Sequence, residues 1–282
     1  MKEVNSNRLP ALLLGLLLPA GVIVLWIVAS RTQHTVLPSP TEVLAVLAHP
    51  WRPPRNLDSP SLLVCAGISL ARVLIGYVLA VICAVPLGLA AGRIKPIRQL
   101  ITPLVELARP ICPIAWLPLA IILFGLSSLG TTFWGQQAWR HGFLNQIQWA
   151  MVAIIWWGAF FPVFLATMHG CERVRRLHVE AARVLGAGRQ GVFLHVVFPS
   201  ALPSILSGMR VGLGIAWMVI IAAEIFPGTR AGLGYMITTA HQVAEYEYAF
   251  ACIVVIGLLG YGMDFIFRRL TGGLGRWTSR ER

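Results

Sequence analysis

Charged residues are scarce in this sequence, and their scarcity limits what the protein can be. Asp, Glu, Lys and Arg make up 12% of its 282 residues, whereas soluble domains carry roughly 25%. Hydrophobic residues account for 57%, and the mean hydropathy is +0.73. So few charges exclude an ordinary water-soluble enzyme or binding domain. The composition predicts an integral membrane protein.

Motifs for catalysis and nucleotide binding are missing as well. The two lysines, Lys2 and Lys95, do not follow the Gly-x-x-x-x-Gly-Lys-Ser/Thr pattern of a phosphate-binding loop. His-Glu-x-x-His is absent, and no nucleophile and base stand at a workable spacing in the apolar runs. The seven histidines show no metal-ligand spacing. We therefore expect no catalytic residue, no metal site and no cofactor on this chain, so energy must come from a partner.

Acidic residues are few, at 11 against 23 lysines and arginines, which leaves a net charge of +12. In a soluble protein this charge would suggest a nucleic-acid partner. Here we assign it to membrane topology and expect no nucleic acid. The five cysteines form no Cys-x-x-Cys pair and mostly lie in apolar runs, so we expect small core residues rather than disulfides or metal ligands.

Six apolar runs are present, and about 20 such residues cross a bilayer as a helix. They cover residues 9–30, 73–92, 100–123, 147–169, 205–226 and 248–267. The first run has 22 residues, more than the roughly 7–15 of a signal-peptide core, so we expect a retained helix. No tandem repeat or low-complexity tract divides the chain. The sequence predicts one all-α membrane domain with six transmembrane helices.

The basic residues are distributed unevenly around these runs. With the N-terminus inside, fifteen lie in inner segments and five in outer ones. The positive-inside rule requires this bias, so both termini are predicted to be cytoplasmic. The resulting layout is a cytoplasmic N-terminus at 1–8, a membrane domain at 9–270 and a cytoplasmic tail at 271–282, with outer segments at 31–61 and 126–146 and a cytoplasmic loop at 170–204.

The longest polar interruption in the second half of the chain covers residues 180–210. Residues 180–185 are mostly good helix formers, and Ala181 is one of two small residues among them. Gly186 and Gly188 are expected to end this helix, because glycine accepts the left-handed conformation. Small residues beside glycines let another backbone approach closely, which suits a docking element.

A second helical piece is predicted over residues 189–197. Its periodicity places Phe193 and Val197 on one side. Pro199 and Pro203 are expected to break the helix just before the next apolar run begins.

The third apolar run contains four prolines, namely Pro103, Pro110, Pro113 and Pro118. Each removes a backbone donor and frees a carbonyl group. In hydrocarbon, such groups must be covered by protein or face a wet cavity. We therefore predict a broken helix that lines a solute path.

Ionisable residues inside or beside the runs are candidate functional groups. Glu106 and Arg109 are three residues apart, so they share a helix face. Two interpretations stay open, a solute contact or an ion pair that fixes packing. Arg72 is expected to extend to water at the outer end of its run. Asp264 is expected to pair with Arg268.

The polar interruption resembles the EAA loop of ABC-transporter permeases. The matching residues are Glu180-Ala181-Ala182, Gly186, Val196 and Phe198-Pro199, with Phe198 where the family usually has leucine. In that family the loop is a cytoplasmic coupling helix that sits in a groove of an ATP-hydrolysing subunit. The resemblance implies these coupling residues: Glu180, Ala181, Ala182, Gly186, Ala187, Phe193 and Pro199.

Other segments resemble the nitrate/sulfonate/taurine/bicarbonate branch of these permeases. They are Leu37-Pro38-Ser39-Pro40, Ser69 with Arg72 and Gly76, Pro86 with Gly88, Arg109-Pro110-Ile111 with Pro113, Ala223-Glu224 and Gly232-Leu233-Gly234-Tyr235. The Trp- and Gln-rich connection 126–146 is longer than in the family, and we expect an interfacial helix there. The candidate path residues are Glu106, Arg109, Pro110, Pro113 and Glu224. For Glu224, a backbone hydrogen bond at the outer rim and a place beside an outer gate both stay open.

The resemblance implies a type I importer fold in the bacterial inner membrane. Two permease copies, most simply a homodimer, would form the pore. Cytosolic ABC ATPase subunits would bind ATP and Mg²⁺, and a periplasmic or lipid-anchored binding protein would deliver a small anion such as nitrate, taurine or another sulfonate, or bicarbonate. One alternative is a secondary transporter driven by an ion gradient, and another is an intramembrane enzyme.

Overall fold

The computed structural model describes residues 8–31, 37–54, 56–125, 127–135, 142–226 and 228–272. Over these ranges the chain is helical, apart from turns, short irregular segments and one isolated antiparallel bridge between Ser128 and Gln148, which confirms the predicted all-α class. The helices are α1 (Arg8–Ser30), α2 (Pro40–Ala48), α3 (Leu62–Arg93), α4 (Lys95–Ala108), α5 (Leu117–Phe124), α6 (Leu129–Trp134), α7 (Gly142–Asn145), α8 (Trp149–Glu172), α9 (Arg176–Val184), α10 (Arg189–Val192), α11 (Phe198–Glu224), α12 (Leu233–Gln242) and α13 (Tyr246–Thr271).

Four helical stretches of the described chain are long and apolar enough to cross a bilayer: α3, α8, Arg189–Glu224 and α13. They correspond to four of the six predicted runs. α3 starts at Leu62, well before the predicted residue 73, because the intervening residues are apolar apart from Ser69 and Arg72, whose polar groups are paired with Glu224 inside the protein. Part of the first run, 9–30, lies outside the residues whose side chains are described, so the count of six stays a prediction.

The third predicted span, 100–123, is not one straight helix. α4 and the Pro113–Phe124 segment meet at 91°, which confirms the predicted break. Cys112 has φ −58° and ψ 127°, outside the helical region. The residue before a proline avoids the helical conformation because the proline ring clashes with it. A 3₁₀ turn, Pro113–Trp116, then leads into α5.

α8 is the centre of the fold. In an apolar stretch of 18 residues within α8, 61% of the residues are buried, against 11% in the corresponding stretch of α13. α8 packs on α3 along one side and on α11 along the other. α13 packs mainly on α12 and α2 and leaves large apolar side chains exposed, as expected for a surface that faces lipid or a partner.

Glycines make the two α8 contacts close. A Cβ atom on Gly88 would lie 2.7 Å from Thr167 Cβ, and one on Gly208 would lie 2.3 Å from Ala166 Cβ. Both distances are too short for real carbon atoms, so a side chain at either position would push the helices apart. Small residues let membrane helices approach closely, and both contacts use them in this way.

Pro199 and Pro203 do not break the helix, so that prediction is wrong. Residues from Arg189 to Glu224 form one continuous helical stretch. A π turn, Phe193–Val197, precedes α11, and the Phe198 N–H donates to the Phe193 carbonyl across this wider turn. The helical stretch continues from it through Pro199, in the first turn of α11, and through Pro203 inside α11.

The segment after α1 contains a short helix, α2. Ser39 caps it: its N–H donates to Glu42 Oε2 at 2.9 Å, and its hydroxyl accepts from the Glu42 N–H at 3.4 Å. This reciprocal pair is a capping box. Pro40 occupies the first turn of α2.

The connection 126–146 contains two short helices, α6 and α7, rather than one predicted helix. Ser128 donates a 2.6 Å hydrogen bond to Asn145 Oδ1, which ties the two ends of the connection together. The Trp149 indole donates to Thr132 at 2.8 Å. Residues 136–141, which include Gln136, Gln137 and Trp139, lie outside the described residues.

Candidate functional site: an exposed loop and a broken helix

The polar loop consists of α9 closed by a glycine. Gly186 has φ +84°. The Ala187 N–H donates to the Ala182 carbonyl at 3.0 Å, and the Gly186 N–H donates to the Arg183 carbonyl at 2.9 Å. These bonds form a Schellman motif, which needs a left-handed residue after the helix. The prediction for Gly186 is confirmed, whereas Gly188, at φ −68°, is the N-cap of α10.

A small apolar cluster holds this loop to the membrane domain. Its buried members are Cys171, Val192, Val197, Ala201 and Ile205. Ala182, Ala187 and Phe193 pack against them. Half-buried Pro199 lies at the start of α11. These four candidate coupling residues therefore position the loop within this chain.

The loop exposes three large apolar side chains among its charged ones. Val184 and Leu185 are each 87% exposed, and Leu177 on the same helix is 70% exposed. Glu180 and Ala181, the other two candidate coupling residues, are also exposed. An exposed apolar patch of this kind is typical of a protein–protein contact. We call Leu177, Val184 and Leu185 the loop tip.

A pocket of about 480 Å³ lies at the break between α4 and α5, against α8 and α11. Arg109 and Pro113, two of the five candidate path residues, line it. Gly158 of α8 makes room for the proline, since a Cβ atom on it would lie 3.3 Å from Pro113 Cγ. Most of the other lining residues are apolar, as in most small-molecule sites.

Glu106 and Arg109 do not form the ion pair that is one of the two open interpretations. Both side chains are exposed, and within the described chain no ion-pair contact joins them or involves either one. Arg109 caps α4 with helical backbone angles, and its N–H donates to the Val105 carbonyl at 2.8 Å, so the shared helix face alone does not pair the two charges. Glu106 and Pro110 are not among the residues that line the pocket.

Glu224, the fifth candidate path residue, lies in a buried ion pair far from the break. Arg72 Nη1 is 2.7 Å from Glu224 Oε1, and both side chains have no exposed surface. The expectation that Arg72 extends to water is therefore wrong, because burial against this carboxylate satisfies its charge. The pair joins α3 to the end of α11.

Polar groups from four parts of the chain complete this cluster. The Ser69 hydroxyl lies 2.8 Å from Glu224 Oε2, and the Gly234 N–H donates to the same oxygen at 3.1 Å. Arg72 also donates to the carbonyls of Ala231 and Gln146. A hydrogen bond from a backbone N–H to Glu224, one of the two open alternatives, is therefore present. It lies in the protein interior rather than at an exposed rim.

A second ionic cluster lies between α11 and α13. Arg268 Nη2 is 2.9 Å from Asp264 Oδ2, which confirms the predicted pair. Arg210 of α11 also binds Asp264, with Nε 2.6 Å from Oδ1. Sequence spacing indicates the first contact but not the second, because Arg210 and Asp264 are on different helices.

Residues 84–276 match the family described as binding-protein-dependent transport system inner membrane component. The chain belongs to this family. The matched range includes both the loop tip and the pocket. The protein is a multi-pass membrane permease of the ABC-transporter class. Family membership favours this assignment over an ion-gradient-driven transporter.

Relatives over nearly the whole length agree with this assignment. The putative ABC transporter permease protein of Methanocaldococcus jannaschii is 37% identical and covers 93% of this chain and 90% of its own. The taurine transport system permease protein of Escherichia coli is 32% identical over 86% of this permease and 80% of its own length. The bicarbonate transport system permease protein of Synechococcus elongatus is 28% identical over 95% and 91%.

Proposed function

We propose that this permease forms the solute path of an ATP-driven importer and that its loop tip docks on a cytosolic ATPase subunit. The observation that carries the proposal is the exposure of Val184 and Leu185 on a loop whose fold is otherwise fixed by capping and packing. A rigid element with an unpartnered apolar surface suits the transmission of movement between subunits. ATP and Mg²⁺ would be bound and hydrolysed on the partner, because this sequence lacks the phosphate-binding motif.

The proposed importer contains further subunits besides this chain and the ATPase on which it docks. Two copies of the permease would surround the pore, and a binding protein would deliver solute at the outer face. ATP binding would draw the ATPases together and move the two loops, which turns the pore outward. The strength of this coupling equals the difference in docking free energy between the two states.

The proposed solute is a small anion. Relatives carry names for taurine and bicarbonate transport, and the pocket at the broken helix contains Arg109. An arginine in an apolar pocket favours a carboxylate, sulfonate or similar group.

Leu185→Asp tests the docking proposal. The side chain is exposed, so the charge should leave membrane insertion and folding unchanged. Burial in a partner groove would cost at least about 2 kcal/mol, which weakens ATPase co-purification roughly thirtyfold. Phe143→Asp, at a side chain that is 50% exposed on the outer connection, is the matched control. Normal co-purification and transport with Leu185→Asp would refute the coupling role.

A further inference from the structure

We propose that the pocket at the broken helix is an anion-binding site within the membrane domain, in which His169 is a second polar contact beside Arg109. This inference rests on the proposed function, since the site would lie on the solute path. His169 was not recognised from the sequence, because its spacing to Arg109 carries no signal.

The polar lining of the pocket is simple. Among its described lining residues, Arg109 and His169 are the two with polar side chains, and walls such as Phe161 and Leu165 are apolar. No carboxylate of the described chain lies within ion-pair distance of Arg109. An uncompensated cation beside apolar walls attracts anions more strongly than one in open water.

The imidazole of His169 is held by its neighbours. Its Nδ1 is 3.2 Å from Glu172 Oε2, and Arg98 of α4 lies 2.5 Å from the other oxygen of Glu172. An ionised carboxylate can only accept, so the Nδ1 atom carries a proton. This orients the ring and leaves Nε2 without a described partner; in the imidazolium form Nε2 also carries a proton and can donate to an anion, whereas in the neutral ring it only accepts. Glu172 and Arg98 therefore act as positioning residues.

The shape of the pocket fits a path rather than a single clamp. Gly158 and His169 both line the pocket, and their positions on α8 differ by eleven. This spacing corresponds to about 16 Å of helix rise. A small anion is shorter than this. Two polar contacts along an apolar channel would give it successive weak positions, as conduction requires.

Cys112 is a native reporter for the charge of this pocket. It is exposed, and its neighbours Ile111 and Pro113 both line the site. The other four cysteines are buried or half-buried. The full chain in phosphatidylcholine nanodiscs would be reacted with a sulfonate-bearing and a trimethylammonium-bearing methanethiosulfonate. Each rate would be divided by the rate of the same reagent with a free thiol.

We expect the normalised rate to favour the sulfonate reagent by about fivefold. Arg109→Gln and His169→Gln should each reduce this preference, and the double variant should abolish it. Arg230→Gln and His241→Gln, at exposed residues outside the pocket lining, should leave it unchanged. A ratio of one in the native chain, or a ratio that neither pocket variant changes, would overturn the proposal.

A lipid headgroup has the same chemistry as an anionic solute, so the lipid is varied as well. Replacing half of the phosphatidylcholine with phosphatidylglycerol lowers the local concentration of the sulfonate reagent for every variant, so the native chain is compared with the double variant in the same lipid. The native chain should keep its higher preference. Loss of this difference would mean that headgroups occupy the pocket, which would overturn its assignment to a solute. The labelling needs no ATPase. If the labelling shows no preference but the loop tip docks normally, only the anion-binding proposal is refuted. If the preference is present but Leu185→Asp leaves docking unchanged, only the proposed coupling is refuted.

Discussion

Glu224 and Arg72 show how much of this permease depends on single side chains. Each is fully buried, and each has several hydrogen-bond partners besides the other. A buried charge is tolerated only when its partners replace the lost water. The two residues are 152 positions apart, so no local spacing rule pairs them.

Removal of one partner should therefore be far more harmful than removal of both. Glu224→Ala leaves the guanidinium of Arg72 buried and unpaired, and we expect a loss of about 3–5 kcal/mol in unfolding free energy. Arg72→Leu combined with Glu224→Leu should recover at least half of that loss. The measurement is denaturant unfolding in detergent, followed by circular dichroism.

Glu106→Ala is the control for this experiment. Glu106 is exposed and forms no ion pair in the described chain, so we expect a change within about 0.5 kcal/mol. If Glu224→Ala were equally mild, water would reach the pair, contrary to its burial.

Two kinds of glycine act at the scale of the helix and the loop. Gly186 is needed for its backbone angle, and its surroundings are open. Gly208 is needed for its size, because α8 passes directly over it. The sequence marks both as glycines, but the structure separates the two causes.

Gly186→Ala should loosen the end of α9. A left-handed alanine costs about 1–2 kcal/mol, so the Ala187 amide, which donates to Ala182, should exchange with solvent roughly tenfold faster. Hydrogen exchange by mass spectrometry measures this. Gly188→Ala has equally open surroundings and an ordinary φ of −68°, so exchange at Ala187 should not change. Equal effects of the two substitutions would exclude the backbone-angle explanation.

Gly208→Ala should weaken the α8–α11 contact. The new methyl group would overlap Ala166, and overpacking of this kind costs about 1–3 kcal/mol. Gly214→Ala, in the same helix, meets nothing within 4 Å and should be neutral or slightly stabilising. Thermal unfolding of the two variants in the same detergent compares them. A lower melting temperature for Gly214→Ala than for Gly208→Ala would contradict the packing assignment.

For the molecule as a whole, charge and hydropathy predict the orientation in the membrane. Basic residues are concentrated in the segments that include the loop tip, which is why we place this loop in the cytoplasm. Docking on a cytosolic ATPase requires the same orientation.

Asp58→Cys and Glu180→Cys test this orientation, since both side chains are exposed. In intact cells, an impermeant thiol reagent should add label to the Asp58→Cys variant beyond that of the native chain. The Glu180→Cys variant should gain label only after permeabilisation. Labelling of Glu180→Cys from outside would reverse the topology and remove the basis for coupling.

The class, four of the helical stretches, a break in the proline-rich third run and the glycine-closed loop could be predicted from the sequence alone. These features depend on neighbouring residues: the length of an apolar run, the proline before which a helix cannot continue, and the glycine that accepts a positive φ. Such local constraints can be read along the chain. The expected break at Pro199 is absent because the π turn Phe193–Val197 carries the helical stretch past the proline, and the sequence pattern does not signal such a turn.

Which distant groups meet could be read only from the packing of the helices. It paired Arg72 with Glu224 and Arg210 with Asp264, left Glu106 unpaired, and brought His169 to the same pocket as Arg109. The physical reason is that the energy of a buried charge or a pocket depends on every helix around it. That arrangement follows from the packing of α3, α8 and α11, which no single stretch of sequence contains.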